Sequence, residues 1–418
     1  MSNILVLSFA ISPVKGSEYA VGWNYIRHMS KHHKFFVLYA ELSDGLQMDE
    51  YLSGKMRINN VLFFSCGKKK NLPQKCGLFR DFFESYKETK KLHTKALSIA
   101  KDLIQKEHID CIHVLNPIGF KEPSELWKLE GIPYVWGPVQ AISTWPWGAL
   151  PYLSFKGMRE FWLRKIFHNI QFFFNPRVRK AFKRADVVVA ATPFSKKIID
   201  SVFRKKCLYT PENAIESVEK GIIVQYNGDV LQMFFAGSLI DRKGVLLLFH
   251  ALEKIKKMGL LNKIHLHVFG NGYLTKNLKN FSQQHEFENA ITWHGMVNRD
   301  TLQKKISGMH LHILPSLGEA TPTILWEATA KRIPTLTLNH CGMAGVLNSE
   351  SAFLVDIDSG KKMISDIADN IVAILNNPSL ISEKSSKLID VINENLWEGP
   401  QGKENFWNSV YSKVVEKK

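Results

Sequence analysis

Short, almost continuous apolar runs alternate with amphipathic stretches along the first half of the chain. Six such runs lie at 4–10, 34–40, 60–65, 111–115, 133–136 and 186–192. Apolar runs without polar interruption are typical of strands that are buried on both faces of a parallel sheet. The stretches between them, such as 19–30 and 81–106, have apolar residues at helical spacing. This alternation predicts an α/β domain with a doubly wound parallel sheet.

The same pattern begins again after a polar segment that contains proline and glycine, at 209–222. Five further runs lie at 232–239, 263–270, 290–295, 311–316 and 333–338. A chain of 418 residues also exceeds the size of about 250–300 residues at which one core usually stops growing. We therefore predict an amino-terminal domain over 1–208 and a carboxyl-terminal domain over 209–389. An apolar helical segment at about 390–418, with Trp397 and Trp407, is expected to pack back on the first domain.

Composition describes an ordinary globular protein, with 45% hydrophobic and 22% charged residues. The net charge is +16 at pH 7, and the pI is about 9.4. Such a charge implies an anionic partner, which could be nucleic acid, anionic lipid or a phosphorylated small molecule. Composition alone does not choose among them.

Five cysteines show neither a CxxC pair nor a metal-ligand spacing, and we expect them to be reduced thiols. They are Cys66, Cys76, Cys111, Cys207 and Cys341. The amino terminus reads as a buried first strand rather than a signal peptide. No apolar run reaches the roughly 20 residues of a membrane span. We expect a cytoplasmic protein that contacts a membrane from outside, if at all.

The first candidate for chemistry is the segment "AGSLIDRKGVLLLF", where a predicted strand ends near Gly237 and a helix begins at about Gly244. Ligands of doubly wound sheets bind at such carboxyl ends of strands. Free backbone N–H groups and the helix dipole favour an anion there. Arg242 or Lys243 could neutralise a diphosphate, although a pair of solvated loop charges would look the same.

The second candidate is the stretch "LPSLGEATPTILWEATAKRIPT", in which a strand end, a glycine turn and a Pro322 helix start follow one another. Ala320, Thr321 and Thr323 would present backbone donors and hydroxyls at this helix start. Glu319 precedes the helix, and Glu327 lies roughly 7 Å along its axis from Pro322.

These two carboxylates could bracket a nucleotide sugar. Glu319 would accept hydrogen bonds from hexose hydroxyls, Glu327 from ribose hydroxyls, and the helix start would hold the phosphates. The alternative is that Glu319 is a helix cap and Glu327 an exposed helix residue. Gly16 and Glu18, between the first strand and first helix, form a weaker candidate loop in which glycine permits close approach of a ligand.

Five segments together resemble a known family: "GSEYAVGW", "GSLIDRKG", "FGNG", "WHGMV" and "SLGEATPTILWEA". Their order and spacing are similar to those of retaining glycosyltransferases of the GT-B fold, in the large family 4 type with an E-x7-E signature. The resemblance covers essentially the whole chain and implies two Rossmann-like domains that face a cleft.

The resemblance implies a role for each matching residue. Glu319 would contact the donor sugar, Glu327 the ribose, Lys243 the diphosphate and Gly272 the nucleotide. Gly16 would touch the phosphates from the other domain, while Gly137 and Gln140 would lie with Glu18 on the acceptor side. Two departures stand out in this chain: Ser238 occupies a position where many members have arginine, and Leu115 replaces a frequent histidine. His113, two residues earlier, is a candidate substitute, although buried strand histidines are more often only hydrogen-bonded.

The resemblance also implies the reaction. A hexose-type sugar would pass from a nucleoside diphosphate sugar to a glycan or lipid-linked glycan, as in bacterial surface polysaccharide synthesis, with retained configuration. We expect same-face displacement, with Glu319, Lys243 and His113 as catalytic candidates. No cofactor is implied, and a metal is not expected because Arg242 and Lys243 could do the electrostatic work of such an ion. A sugar-nucleotide epimerase or a phosphorylase of the same fold is an alternative without a signature here.

The segment 156–184 interleaves nine basic residues with seven aromatics, and only Glu160 opposes them. This composition is typical of an interfacial helix on anionic lipid, and it would also suit single-stranded nucleic acid or a domain helix with its aromatics in the core. A non-catalytic membrane-binding or nucleic-acid-binding scaffold is therefore the second function class. It leaves the paired glutamates unexplained, because acidic residues repel phosphate backbones. We expect no nucleic-acid partner.

Overall fold

The computed structural model describes residues 1–13, 16, 18–41, 54, 57–68, 78–217 and 222–416, with only the backbone of 78–86. The chain divides into two compact units. The amino-terminal unit comprises Met1–Ile142, Ile170–Glu212 and Lys403–Lys418, and the carboxyl-terminal unit comprises Ser143–Asn169 and Asn213–Gly402.

The amino-terminal unit is built on a seven-stranded parallel sheet with the order β3-β2-β1-β4-β5-β6-β7. Its strands are β1 (Asn3–Ser8), β2 (Lys34–Glu41), β3 (Val61–Lys68), β4 (Cys111–Asn116), β5 (Tyr134–Val139), β6 (Val187–Ala190) and β7 (Leu208–Tyr209). Its helices are α1 (Glu18–Met29), α2 (Leu78–Lys106), α4 (Asn169–Phe174, whose first residue belongs to the other unit), α5 (Pro176–Arg184), α6 (Pro193–Phe203) and α13 (Lys403–Val415). Every residue of β4 and β5 is buried, which confirms the interpretation of the continuous apolar runs.

The carboxyl-terminal unit contains a six-stranded parallel sheet with the order β10-β9-β8-β11-β12-β13. Its strands are β8 (Leu231–Ala236), β9 (Ile264–Phe269), β10 (Ile291–Gly295), β11 (Leu311–Leu314), β12 (Thr335–Leu338) and β13 (Phe353–Val355). Its helices are α3 (Phe155–Leu163), α7 (Val245–Lys257), α8 (Thr275–Gln284), α9 (Arg299–Ile306), α10 (Thr323–Ala330), α11 (Gly360–Asn376) and α12 (Ser379–Glu394). A π-helical turn, Arg164–His168, joins α3 to α4. Two doubly wound parallel-sheet domains are thus confirmed.

The division of the chain differs from the predicted one in two places. Residues 143–169 belong to the carboxyl-terminal unit, because Trp145, Ala149 and Phe161 are part of its hydrophobic core. The predicted terminal segment at 390–418 contains the end of α12 and the whole of α13, and of these only α13 belongs to the amino-terminal unit. Between the two helices the backbone of Gly399 adopts a φ of 117° and Pro400 follows, a pair that does not continue a helix.

Cys66, Cys111, Cys207 and Cys341 are buried and form no disulfide among the described residues, and Cys76 lies outside those residues. Of the helices that the structure describes, none has both the length and the apolar character needed to cross a bilayer.

Candidate active site

The site residues of the carboxyl-terminal unit lie at the point where its strand order reverses. The chain runs outward from β8 through β9 to β10 and then returns to the other side of β8 as β11. Crevices at the carboxyl ends of strands beside such a reversal are where doubly wound sheets bind their ligands. Lys243 follows β8 and Glu319 follows β11, so the fold places both at this point.

The turn after β8 and the turn after β11 are packed tightly against each other. Asp241–Lys243 form one turn of 3-10 helix, and Gly244 follows with a φ of 66° immediately before α7. A Cβ at Gly244 would overlap the carbonyl of Pro315, so this approach requires glycine. The N–H of Leu317 donates to the carbonyl of Arg242 at 2.9 Å. The two candidate turns are therefore one structural element.

Two cations share one carboxylate where these turns meet. Lys243 Nζ lies 3.0 Å from Glu319 Oε1, and the same oxygen accepts a hydrogen bond from Arg242 Nη1. Arg242 also donates to the carbonyl of Gly318 at 3.3 Å. Lys243 and Glu319 are both buried, with 8% of their surface exposed. This cluster combines surplus positive charge with a carboxylate next to a helix start.

The helix that follows Glu319 begins as the sequence predicts, with one difference. Pro322 is the N-cap rather than a residue of the first turn, and α10 begins at Thr323. Ala320 and Thr321 are buried, while Thr323 is half-buried. The N–H of Gly342, after β12, donates to the carbonyl of Glu319 at 3.2 Å, so the loop after β12 also supports this turn.

Glu327 is largely buried in α10 rather than exposed. Its side chain is 12% exposed, and its Oε1 accepts from Arg299 Nε of α9 at 2.8 Å. Burial raises the pKa of Glu327 above its usual value, and Arg299 partly opposes that shift. The sequence did not point to Arg299, because nothing in it shows that α9 packs beside α10.

The glycine turn after β9 joins the turn after β8 through the backbone. The N–H of Leu239 donates to the carbonyl of Asn271 at 3.1 Å, and that of Leu274 donates to the carbonyl of Leu239 at 3.1 Å. A Cβ at Gly272 would overlap the backbone of Leu239. Gly272 thus lies beside the turn that carries Arg242 and Lys243, as a nucleotide-contacting residue would need to.

Asp241, which sequence reasoning missed, anchors the turn that carries the two cations. It is 1% exposed, and its carboxylate accepts from the backbone and hydroxyl of Ser154 and from Tyr273 Oη at 2.9 Å. Ser154 is the N-cap of α3, so the carboxylate lies against a helix amino terminus, which stabilises negative charge.

His113 is enclosed in the amino-terminal unit and does not meet solvent. Its Nδ1 accepts from Tyr411 Oη at 2.6 Å, and its Nε2 donates to the carbonyl of Gly137 at 2.6 Å. Burial lowers its pKa to about 4, so the ring is neutral at pH 7. With no exposed surface and both nitrogens bonded, His113 is a structural residue here, which corrects the suggested catalytic role.

The other candidates of the amino-terminal unit fall into two groups. Glu18 supports the loop after β4, since its Oε1 accepts from the N–H of Ile118 at 2.6 Å. A Cβ at Gly137 would overlap the carbonyl of Val189. These two residues therefore already have structural roles. Gly16 is exposed, and a Cβ built on it would meet no atom of the described residues within 4 Å, while Gln140 is half-buried, so both remain candidates for ligand contact.

Comparison with known families identifies the carboxyl-terminal unit. Residues 223–390 match the family described as Glycosyl transferases group 1. The match contains all the candidate donor residues of this unit. The carboxyl-terminal unit is therefore a glycosyltransferase domain of that family, and the chain is a transferase.

Several solved structures share the fold over nearly the whole chain. The lipopolysaccharide outer core galactosyltransferase WaaB is 16% identical, with a TM-score of 0.62 over 99% of this chain and 100% of that one. Sucrose-phosphate synthase from Thermosynechococcus elongatus is 12% identical, with a TM-score of 0.67 over 100% of each chain. The Anabaena protein HepE, in complex with UDP and glucose, is 12% identical, with a TM-score of 0.60 over 100% of each chain. No curated protein matches the sequence. The fold is that of GT-B glycosyltransferases.

Proposed function

We propose that this protein transfers a hexose from a nucleoside diphosphate sugar to a glycan or lipid-linked glycan, with retention of configuration. The observation that carries this proposal is the ion cluster of Arg242, Lys243 and Glu319 at the reversal point of a glycosyltransferase domain. It supplies cations for a diphosphate and a carboxylate for sugar hydroxyls within one hydrogen-bonded element.

The roles follow from charge and position. The diphosphate would bind Arg242 and Lys243 in place of Glu319. The Glu319 carboxylate would then be available to accept hydrogen bonds from sugar hydroxyls. The backbone N–H of Thr323 adds to the anion site, because the first N–H groups of a helix lack internal partners, and Ala320 and Thr321 lie in the turn just before it. Glu327 would accept from the ribose, and the turn at Gly272 would contact the nucleoside.

The reaction is a same-face displacement. The bond from the anomeric carbon to the diphosphate oxygen breaks while the acceptor oxygen bonds to that carbon. The acceptor proton passes to the departing diphosphate, and Arg242 and Lys243 stabilise the negative charge that develops there. These two cations supply the electrostatic stabilisation that a metal ion provides in other transferases, so no metal is needed.

The similar structures support the substrate classes. The HepE structure is a complex with UDP and glucose, and WaaB is a galactosyltransferase of the lipopolysaccharide outer core. A hexose donor, a polysaccharide or glycolipid acceptor and a role in surface polysaccharide synthesis are the expectations that these proteins suggest.

Peripheral membrane association, on the cytoplasmic face, is part of the proposal and rests on the segment around α3. Phe161 is buried, which is what a helix with its aromatics in the domain core would show. Phe155, Trp162 and Phe167, however, are 81%, 46% and 50% exposed. Exposed apolar residues interleaved with Lys156 and Arg159 suit an anionic lipid surface. Absence of co-sedimentation with phosphatidylglycerol vesicles at low salt would contradict this part alone.

The test is a thermal-shift panel with UDP, GDP, ADP, their hexose conjugates and a single-stranded oligonucleotide. We expect one nucleotide to raise the melting temperature, and Glu327→Ala to reduce that rise. Glu286→Ala is the matched control, because Glu286 lies in the same unit with a largely exposed side chain. Stabilisation by the oligonucleotide but by no nucleotide would favour a non-catalytic scaffold. Conversion of the donor to another sugar nucleotide without an acceptor would favour an epimerase.

A further inference from the structure

A pocket of about 440 Å³ lies within the carboxyl-terminal unit, and its lining contains no residue of the donor turns. Its walls are formed by residues 144–148, Lys165, His340 and 357–359. The volume lies in the range of roughly 300–1,000 Å³ that is typical of small-molecule sites. We propose that this pocket is a subsite for one neutral sugar residue of the acceptor, an inference that rests on the proposed function.

The strand order places this pocket on the far side of the donor turn from the nucleoside. His340 follows β12 and Asp358 follows β13, and these strands continue the sheet beyond β11. Neighbouring strands are about 4.8 Å apart, so β13 lies about 10 Å from β11. The turn at Gly272 lies after β9, on the opposite side of the reversal point. A ligand in the pocket would therefore approach the donor sugar from the side away from the base.

The pocket wall is in contact with the donor turn itself. A Cβ at Gly318 would lie 2.9 Å from Cδ1 and 3.0 Å from Nε1 of Trp145. His340 Nε2 donates to the carbonyl of Thr144 at 2.8 Å, and two residues later Gly342 bonds the carbonyl of Glu319. Burial lowers the pKa of His340, which keeps the ring neutral in this support. The loop from His340 to Gly342 is thus hydrogen-bonded both to the pocket lining at Thr144 and to Glu319.

The lining chemistry suits a sugar ring. Trp147 is 54% exposed, and Lys165 Nζ lies 5.1 Å from its ring centroid. The C–H face of a pyranose is apolar and packs on aromatic rings, while its hydroxyls need polar partners at the rim. Lys165 can donate to such hydroxyls, the exposed Asp358 can accept from them, and the Ser359 hydroxyl can do either.

The charges of the lining favour a neutral sugar over an anion or a lipid chain. Lys165 and Asp358 oppose each other in sign, so a phosphate drawn to one would be repelled by the other. An acyl chain would have to desolvate both charged groups without giving them hydrogen-bond partners, which is costly. A sugar residue satisfies the polar groups and covers the indole at once.

The experiment uses the full-length protein, saturated with the nucleotide that stabilises it most, and three probes: the methyl α-pyranosides of glucose, galactose and mannose. Saturation-transfer NMR measures contact between protein and hexoside protons while the donor nucleotide site is filled. We expect transfer to at least one hexoside, with its affinity weakened about tenfold by Trp147→Ala. Asp358→Asn should weaken binding of the same hexoside. Because Asp358 is exposed, this variant shows whether the effect of Trp147→Ala comes from the pocket rather than from impaired folding.

The matched controls are Phe155→Ala and Asp356→Asn, since both residues are exposed and lie outside the pocket. They should leave the hexoside signal unchanged. Transfer that persists in both pocket variants, or no transfer to any hexoside despite nucleotide binding, overturns the subsite and leaves the proposed function intact. Saturation transfer to dihexanoylphosphatidylcholine, tested as a fourth probe, but to no hexoside reassigns the pocket to lipid and also overturns the proposal. Failure of every nucleotide to bind would instead count against the proposed function.

Discussion

The carboxylate of Asp241 binds both polar groups of Ser154, 87 positions earlier in the chain. The Ser154 N–H donates to Oδ1 at 2.7 Å, and its hydroxyl donates to Oδ2 at 2.6 Å. Asp241 is followed directly by Arg242 and Lys243, so this contact fixes the start of α3 to the turn that carries the proposed phosphate ligands. A segment far away in sequence thereby helps to define the donor site.

Replacement of Gly157 tests this contact. A Cβ there would overlap the Asp241 carboxylate, so Gly157→Ala must displace either α3 or the turn. We expect a loss of about 1–3 kcal/mol in stability and weaker nucleotide affinity. Thermal unfolding with and without nucleotide measures both. Met158→Ala, on the exposed side of the same helix, is the control, and equal behaviour of the two variants would contradict the prediction.

Removal of the Lys243 charge should weaken diphosphate binding. A hydrogen bond to a charged group contributes about 1.5–3 kcal/mol, so Lys243→Ala should lower nucleoside diphosphate affinity by about 10- to 100-fold. Isothermal titration gives the affinity. Lys257→Ala, an exposed change in the same unit, should have little effect. Comparable affinity in both variants would remove Lys243 from the site.

Glu327 should distinguish ribose from deoxyribose. We expect Glu327→Gln to lose affinity for the ribonucleotide but to change little toward the 2′-deoxy form, because one charged acceptor is removed. The raised pKa of Glu327 adds a pH dependence, since protonation removes that acceptor at a higher pH than for an ordinary glutamate. Affinity for the ribonucleotide should therefore fall as pH is lowered, and the variant should lack that fall.

His113 should make folding of the amino-terminal unit sensitive to acid. Its folded pKa of about 4 is below the unfolded value of 6.5, so its contribution is fully present above pH 6.5 and is lost as pH falls toward 4. The loss should be about 3 kcal/mol. His113→Asn should show a shallower decline in denaturant unfolding over this range. Identical pH slopes would mean that the histidine is not held neutral.

Transfer should not depend on a divalent metal. Arg242 and Lys243 are proposed to stabilise the leaving diphosphate, so dialysis against EDTA should change the rate of sugar transfer by less than about twofold. Loss of activity on chelation, with recovery on addition of Mg²⁺ or Mn²⁺, would show that these side chains are not sufficient.

The order of apolar and polar residues predicted the strands and helices, because these elements depend on residues that are close in sequence. Continuous apolar runs gave the strands, and Lys243 and Glu319 could be placed because each follows such a run at a helix start. What escaped prediction depends on packing between distant segments. The apolar residues of 143–169 require a core, but nothing local shows which core they enter. Likewise, Arg299 beside Glu327 and Asp241 beside Ser154 depend on how helices meet, and the burial of His113 depends on Tyr411 from α13.

The same late contribution of α13 affects how the chain can fold during synthesis. Tyr411 closes the cluster around His113 and Tyr25, and Trp407 packs against both rings. The first 142 residues therefore leave the ribosome without the side chains that cover their central strand, and they must wait for about 260 further residues at roughly 5–20 per second. The carboxyl-terminal unit, whose last segment ends at Gly402, therefore has all its segments synthesised before the amino-terminal unit does.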